Sequence, residues 1–141
     1  MPFYADSSFF VSLYLKDAHS TNALELAESR PRLWLTPLHL AECFHAFAQQ
    51  VYFGKITASV AERLYDQLSR DRAANTWREG PIPERAFERS AELARRYGPR
   101  LGVRTLDSLH VACALELKAE RFWTFDERQA KLARAEGLKT Q

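Results

Sequence analysis

The sequence predicts an α/β fold with a mainly parallel sheet covered by helices on both faces. Short apolar runs of strand type, at residues 2–5, 33–36 and 121–125, alternate with longer stretches whose apolar residues recur at helical spacing. Such alternation is the pattern of parallel strands joined by right-handed helical crossovers. Residues 105–118 are apolar almost all round, as a helix buried on every side must be.

The elements follow in order. Pro2-Phe3-Tyr4-Ala5 reads as the first strand and ends at Asp6. Residues 7–16 place Phe9, Phe10, Leu13 and Tyr14 at helical spacing, and a second helix from about His19 to Ser29 puts Ala23, Leu24 and Ala27 on one face. Pro31, which has no N–H to give, stops it. After the second strand, at 33–36, Thr36-Pro37 has the chemistry of a helix start, a threonine cap followed by a proline with its φ already set. That helix runs over 37–53 with Leu40, Phe44, Phe47 and Val51 on a stripe, and Gly54 ends it. Thr57 opens another helix to about Arg72, with Val60, Leu64 and Leu68 inward. So short a connection predicts an antiparallel hairpin. Thr76-Trp77 reads as part of a short strand bounded by Pro81 and Pro83. Pro83-Glu84 starts a helix to about Tyr97, and Gly98-Pro99-Arg100-Leu101-Gly102 reads as a loop. The buried helix, the strand at 121–125 and a last helix over 126–136 complete the chain, with a short final strand around Leu138.

At 141 residues the chain is one domain's worth, and a single domain over 1–141 is expected. A chain of this size buries roughly 68% of its unfolded surface, so its core needs no disulfide or structural metal. The formal charge of +2 is too small to argue for nucleic acid by itself. Cys43 and Cys113 sit in apolar helical runs with no C-x-x-C and no histidine at zinc spacing, and read as small core residues. There is no secretory signal and no run long enough to span a membrane, so a reducing cytoplasm is expected.

Four acids stand out by position: Asp6, Glu42, Asp107 and Asp126. Each has a bland reading. Asp6 and Asp126 follow strands and can cap the helices after them, and Gln129 completes a capping-box spacing with Asp126. Asp107 lies in the first turn of its helix, where an acid complements the dipole. Glu42 lies about two turns inside its helix, past the reach of capping, and a solvated face is its alternative. Taken together they suggest more. Asp6 and Asp126 stand at the carboxyl ends of strands, where open α/β sheets bind ligands. If Glu42 and Asp107 enter from flanking helices, four carboxylates share one cleft, and neighbouring acids cannot all stay ionised without a cation. Oxygen ligands of this hardness suit Mg²⁺ or Mn²⁺, which would leave positions for a phosphodiester and an attacking water.

The residues resemble a known family at this point. Tyr4-Ala5-Asp6-Ser7-Ser8, Thr36-Pro37-Leu38-His39-Leu40-Ala41-Glu42, Leu106-Asp107-Ser108-Leu109-His110-Val111-Ala112 and Trp123-Thr124-Phe125-Asp126 are similar, in order and spacing, to the motifs of PIN-domain ribonucleases, and among them to VapC toxins of toxin–antitoxin pairs. The resemblance implies a three-layer α/β/α fold and cleavage of single-stranded RNA with Mg²⁺ or Mn²⁺. It implies a homodimer held inactive by a cognate antitoxin. By position it makes Asp6, Glu42, Asp107 and Asp126 the catalytic and metal-binding acids, with Ser8 and Thr124 as supporting hydrogen-bonders.

Arg100 and Arg104, with Arg95 and Arg96, form a basic stretch before Asp107 that suits an RNA backbone or, equally, solvent. His110 reads as a packed histidine, and the spacing of His39, Glu42 and His45 spreads them too far round a helix for a transition-metal site. Of Phe44, Phe47, Tyr52, Phe53 and Tyr65, most read as core and a few as exposed for a dimer or an antitoxin helix. Two other functional classes compete with a nuclease. A phosphotransferase using Asp6 as nucleophile commonly needs a second Asp two residues on, where this chain has Ser8. A binding module without chemistry has no need of all four acids.

Overall fold

The computed structural model describes residues 2–141. The elements in chain order are β1 (Tyr4–Ala5), α1 (Ser7–Tyr14), α2 (Ser20–Ala27), β2 (Trp34–Leu35), α3 (Pro37–Tyr52), α4 (Ala58–Ala73), β3 (Arg78–Glu79), α5 (Ala86–Leu101), α6 (Thr105–Glu116), β4 (Phe122–Trp123) and α7 (Glu127–Ala135). The strands pair in parallel, β1 with β4 and β2 with β3, as the alternating pattern predicts. The chain divides into two compact units. One comprises the residues up to Asp6 with Pro81–Gln141, the other Ser7–Gly80.

In the first unit Tyr4 pairs with Phe122 and Ala5 with Trp123. The ladder is framed by Tyr4 N–H to the Arg121 carbonyl (2.9 Å) and Asp6 N–H to the Trp123 carbonyl (3.0 Å). A parallel bridge from Arg121 to Lys139 extends it, in place of the short final strand expected near Leu138. These strands are apolar because both faces are covered: Tyr4, Ala5 and Phe122 are fully buried and Trp123 nearly so. From Ser108 to Ala114 every residue of α6 is buried, as its all-round apolar sequence requires. Leu106, in the first turn, is the exception and stands exposed.

The expected loop at 98–102 is instead the last turn of α5, which carries Pro99 inside it. Proline normally breaks a helix through its missing N–H and its clash with the residue before it. Here that residue is Gly98, which has no Cβ to clash, and Pro99 is exposed, so the Arg95 carbonyl that loses its donor lies at a solvated stretch of helix. The helix ends one turn later at Gly102, whose φ of 63° is the left-handed conformation glycine adopts without strain. The start also moves, from Pro83 to Ala86.

In the second unit Trp34 pairs with Arg78 and Leu35 with Glu79. The strand expected at Thr76-Trp77 lies two residues later. Both residues of β3 are exposed, so no apolar signature marks it. Gly80 follows because a Cβ there would meet the Trp34 ring at 2.7 Å. Thr57 caps α4 by accepting the Val60 N–H at 3.2 Å. The core holds Phe9, Phe10, Leu33, Phe47 and Leu68, all fully buried. Of the hairpin aromatics Phe47 is core, Phe44 and Tyr65 are half-buried against each other, and Tyr52 and Phe53 are exposed. Trp77 sits edge-on to Phe10 and donates its Nε1–H to the Tyr14 hydroxyl (2.9 Å), which donates to Asp71 Oδ2 (2.6 Å). Burial, and then that acceptance by a carboxylate, raise the Tyr14 pKa well above the ordinary phenol value.

Candidate functional site

Three of the four acids belong to the first unit, and hydrogen bonds join them. Asp6 leaves the carboxyl end of β1 and Thr124 the carboxyl end of its parallel neighbour β4. The Thr124 hydroxyl lies 3.0 Å from Asp6 Oδ2, and both residues are buried. The same hydroxyl accepts the N–H of Asp126 at 3.0 Å. Asp126 in turn caps α7, its Oδ1 accepting the Gln129 N–H at 3.1 Å. The cap uses Oδ1 alone, and among the described residues no hydrogen bond is made by Oδ2. Gln129 is fully buried. Its Oε1 is 2.7 Å from the Thr124 hydroxyl and its Nε2–H donates to the main-chain carbonyl of Asp107 at 3.1 Å. Beyond Thr124 the Gln141 side-chain amide pairs with the Thr124 main chain, its Oε1 accepting the Thr124 N–H and its Nε2 donating to the carbonyl.

Asp107 is half-buried in the first turn of α6. Its Oδ2 is 3.4 Å from both the main-chain nitrogen and Nε of Arg104. Arg104, expected as an RNA-backbone contact, has a side chain that is 82% exposed, so this ion pair is held loosely against solvent. Arg100 is exposed on the last turn of α5 with its guanidinium 5.5 Å from the Tyr97 ring centre.

The fourth acid, Glu42, belongs to the second unit. It is half-buried on α3, and its Oε1 accepts the Ser7 hydroxyl proton at 2.8 Å. Ser8, the expected supporting residue, is exposed on α1. Ser7 is thus a hydrogen-bond partner of Glu42 beyond the residues expected from the sequence. Ser7 lies directly after Asp6, and one residue's shift along a helix turns a side chain by about 100°.

Three of the four histidines have hydrogen-bond partners in view. His39 is buried and its Nδ1 accepts the Thr36 N–H at 3.0 Å. His45 Nδ1 is 2.7 Å from the Ala41 carbonyl. His110 is buried with Nδ1 2.8 Å from the Tyr4 hydroxyl, the packed histidine its helix predicts. Cys43 and Cys113 are buried and in no disulfide, and burial pushes the Cys113 thiol up to about 11.

The donors offered by Asp6, Asp107, Asp126 and Thr124 are all oxygens, which fits a hard divalent cation rather than zinc or copper. Among the described residues no three His, Cys, Asp or Glu side chains are gathered closely enough to hold an ion by themselves. Mg²⁺ asks for less, since it commonly takes one or two carboxylates and completes its shell with water and phosphate oxygens.

A family model described as the PIN domain matches residues 3–135. Among curated proteins none matches the chain. Several solved structures share its fold at low identity. The toxin VapC20 of Mycobacterium tuberculosis, described as cleaving the Sarcin-Ricin loop, superposes with a TM-score of 0.71 at 18% identity over 96% of this chain and 95% of that one. VapBC2 of Rickettsia felis, bound to a DNA fragment from its promoter, gives 0.67 at 18% over 100% and 98%. FitAcB of Neisseria gonorrhoeae gives 0.73 at 14% over 98% and 95%.

Proposed function

This chain belongs to the PIN-domain family, and from that membership we propose that it is a metal-dependent endoribonuclease that cuts single-stranded RNA as the toxin of a toxin–antitoxin pair. The observation that carries the proposal is the chain of hydrogen bonds from Asp6 through Thr124 and Gln129 to Asp107, with Asp126 on the same hydroxyl, at the carboxyl ends of two parallel strands.

Asp6, Asp107 and Asp126 would offer carboxylate oxygens to the cation, with water and phosphate oxygens completing its shell, and Glu42 is a fourth proposed acid. When bound, Mg²⁺ or Mn²⁺ stabilises negative charge on the phosphodiester and acidifies the attacking water. The residues of the chain supply the rest. Thr124 fixes the Asp6 carboxylate, leaving its charge directed at the cation. Ser7 does the same for Glu42. A carboxylate not occupied by the cation takes up the proton of the attacking water. Arg100 and Arg104 engage the RNA backbone, and the exposure of both guanidiniums supports that role.

The partner is a cognate antitoxin, and the working form is a homodimer in the reducing cytoplasm as a single domain over 1–141. Exposed Tyr52 and Phe53 support a partner-binding surface, as do the antitoxin complexes among the proteins of similar fold. The described residues contain no helix long and apolar enough to cross a membrane. The test pairs two assays. Purified protein is expected to cut a single-stranded RNA pool and spare the same sequences as duplex, and its induced expression to arrest growth, with Asp6→Asn abolishing both. Equal cutting of both forms, or arrest that persists in Asp6→Asn, contradicts the proposal.

A further inference from the structure

The capping reading of Gln129 leaves its side chain unexplained, because the cap uses only its main-chain N–H. A glutamine side chain that is 1% exposed must satisfy its amide inside the protein. It does so on two of the acid-bearing segments at once. The Nε2 faces a carbonyl, that of Asp107, which only a donor can satisfy, so the orientation of the amide is fixed. Its Oε1 then faces the Thr124 hydroxyl, which must donate. That hydroxyl has one proton and two acceptors within reach, Gln129 Oε1 at 2.7 Å and Asp6 Oδ2 at 3.0 Å. It also already accepts the Asp126 N–H.

We infer that Gln129 is a positioning residue for the acidic site: through one buried amide it ties the first turn of α6, which carries Asp107, to the Thr124 hydroxyl on which Asp6 and Asp126 converge. Two consequences follow from the geometry. The hydrogen-bonded link between the Asp107 turn and Thr124 at the β4 end is made by a single side chain rather than by a ladder of main-chain bonds. The Thr124 proton is shared between an amide oxygen and a carboxylate, so removing the amide hands that proton to Asp6 outright and changes how its carboxylate meets a cation. Residues that orient metal-binding groups typically cost about 10-fold to 100-fold in metal affinity when removed.

The inference rests on the proposed cation site, and the test separates the two. The affinity of the full chain for Mn²⁺ is measured from the paramagnetic resonance of free Mn²⁺, beside thermal melting in EDTA. The variants are Gln129→Met, which keeps length and apolar bulk, and Leu132→Ala, a fully buried position on the same helix outside the network. Gln129→Met is expected to weaken Mn²⁺ binding about tenfold. Leu132→Ala is expected to lower the melting temperature and leave Mn²⁺ affinity unchanged. Equal Mn²⁺ affinity in Gln129→Met and the wild type overturns the positioning role and leaves the cation site standing. No Mn²⁺ binding by the wild type overturns both. If methionine prevents folding, the wild-type protein supplies a second reading. The Gln129 side-chain NH₂ resonance should exchange slowly with solvent and shift on titration with Mg²⁺, and a resonance unmoved through saturation overturns the inference.

Discussion

Each unit holds half-buried polar side chains in a hydrogen-bond network, and the two networks differ. In the second unit the Tyr14 hydroxyl and Gln67 Nε2 use both oxygens of Asp71, and Trp77 Nε1 completes the chain on the Tyr14 hydroxyl. Every member is satisfied by protein. In the first unit Asp126 and Asp107 are each bonded through one oxygen only, among the described residues. The bonds orient these carboxylates without exhausting them. A carboxylate closed on both oxygens is spent within the fold, whereas one bonded through a single oxygen is what the proposed cation site requires.

Substitutions can break or sharpen that contrast. The largest expected effect is on chemistry in the first unit. Asp107→Asn should cut the rate of RNA cleavage roughly a thousand-fold, equivalent to about 4 kcal/mol of transition-state stabilisation, while the melting temperature stays near that of the wild type. The second unit should give the opposite profile. Phe47→Ala, at a fully buried site, should cost about 3–5 kcal/mol in denaturant unfolding by leaving a cavity. Tyr14→Phe strands Asp71 Oδ2 and Trp77 Nε1 and should cost about 1–3 kcal/mol. A Tyr14→Phe protein as stable as the wild type would show that the closed network is not structural. Loss of the α4 cap in Thr57→Ala should cost about 1 kcal/mol.

The smallest effect concerns pH. Burial pushes Cys113 up to about 11 from 9.0, so the folded state favours the neutral thiol. That contribution is complete below pH 9.0 and is lost as pH rises towards about 11, where the folded thiol ionises too. Unfolding free energies across this window should fall less steeply in Cys113→Ala than in the wild type.

Much of this was legible in the sequence because the causes are local. Thr36-Pro37 and Thr57 start helices by capping chemistry, and α6 is read from an apolar run that only burial can explain. The placement of three acids was legible as well, Asp6 and Asp126 after strands and Asp107 in the first turn of the buried helix. What stayed hidden depends on tertiary context. Pro99 continues a helix because Gly98 precedes it on an exposed stretch. The strand β3 is two exposed charged residues paired with β2, with no apolar run to mark it. Gln129 fits a capping spacing, and nothing local reveals that its side chain reaches the Asp107 carbonyl, 22 residues away in the chain. That the Ser7 hydroxyl meets Glu42 likewise depends on how α1 is turned, which no local signal fixes.

The most direct test of the central claim is cleavage of a mixed cellular RNA pool by the purified protein, with Mg²⁺ or Mn²⁺, with EDTA, and beside Asp107→Asn. The account predicts cutting that needs the cation, stops in EDTA and disappears in Asp107→Asn. Cleavage that survives EDTA, or that Asp107→Asn retains in full, would contradict it.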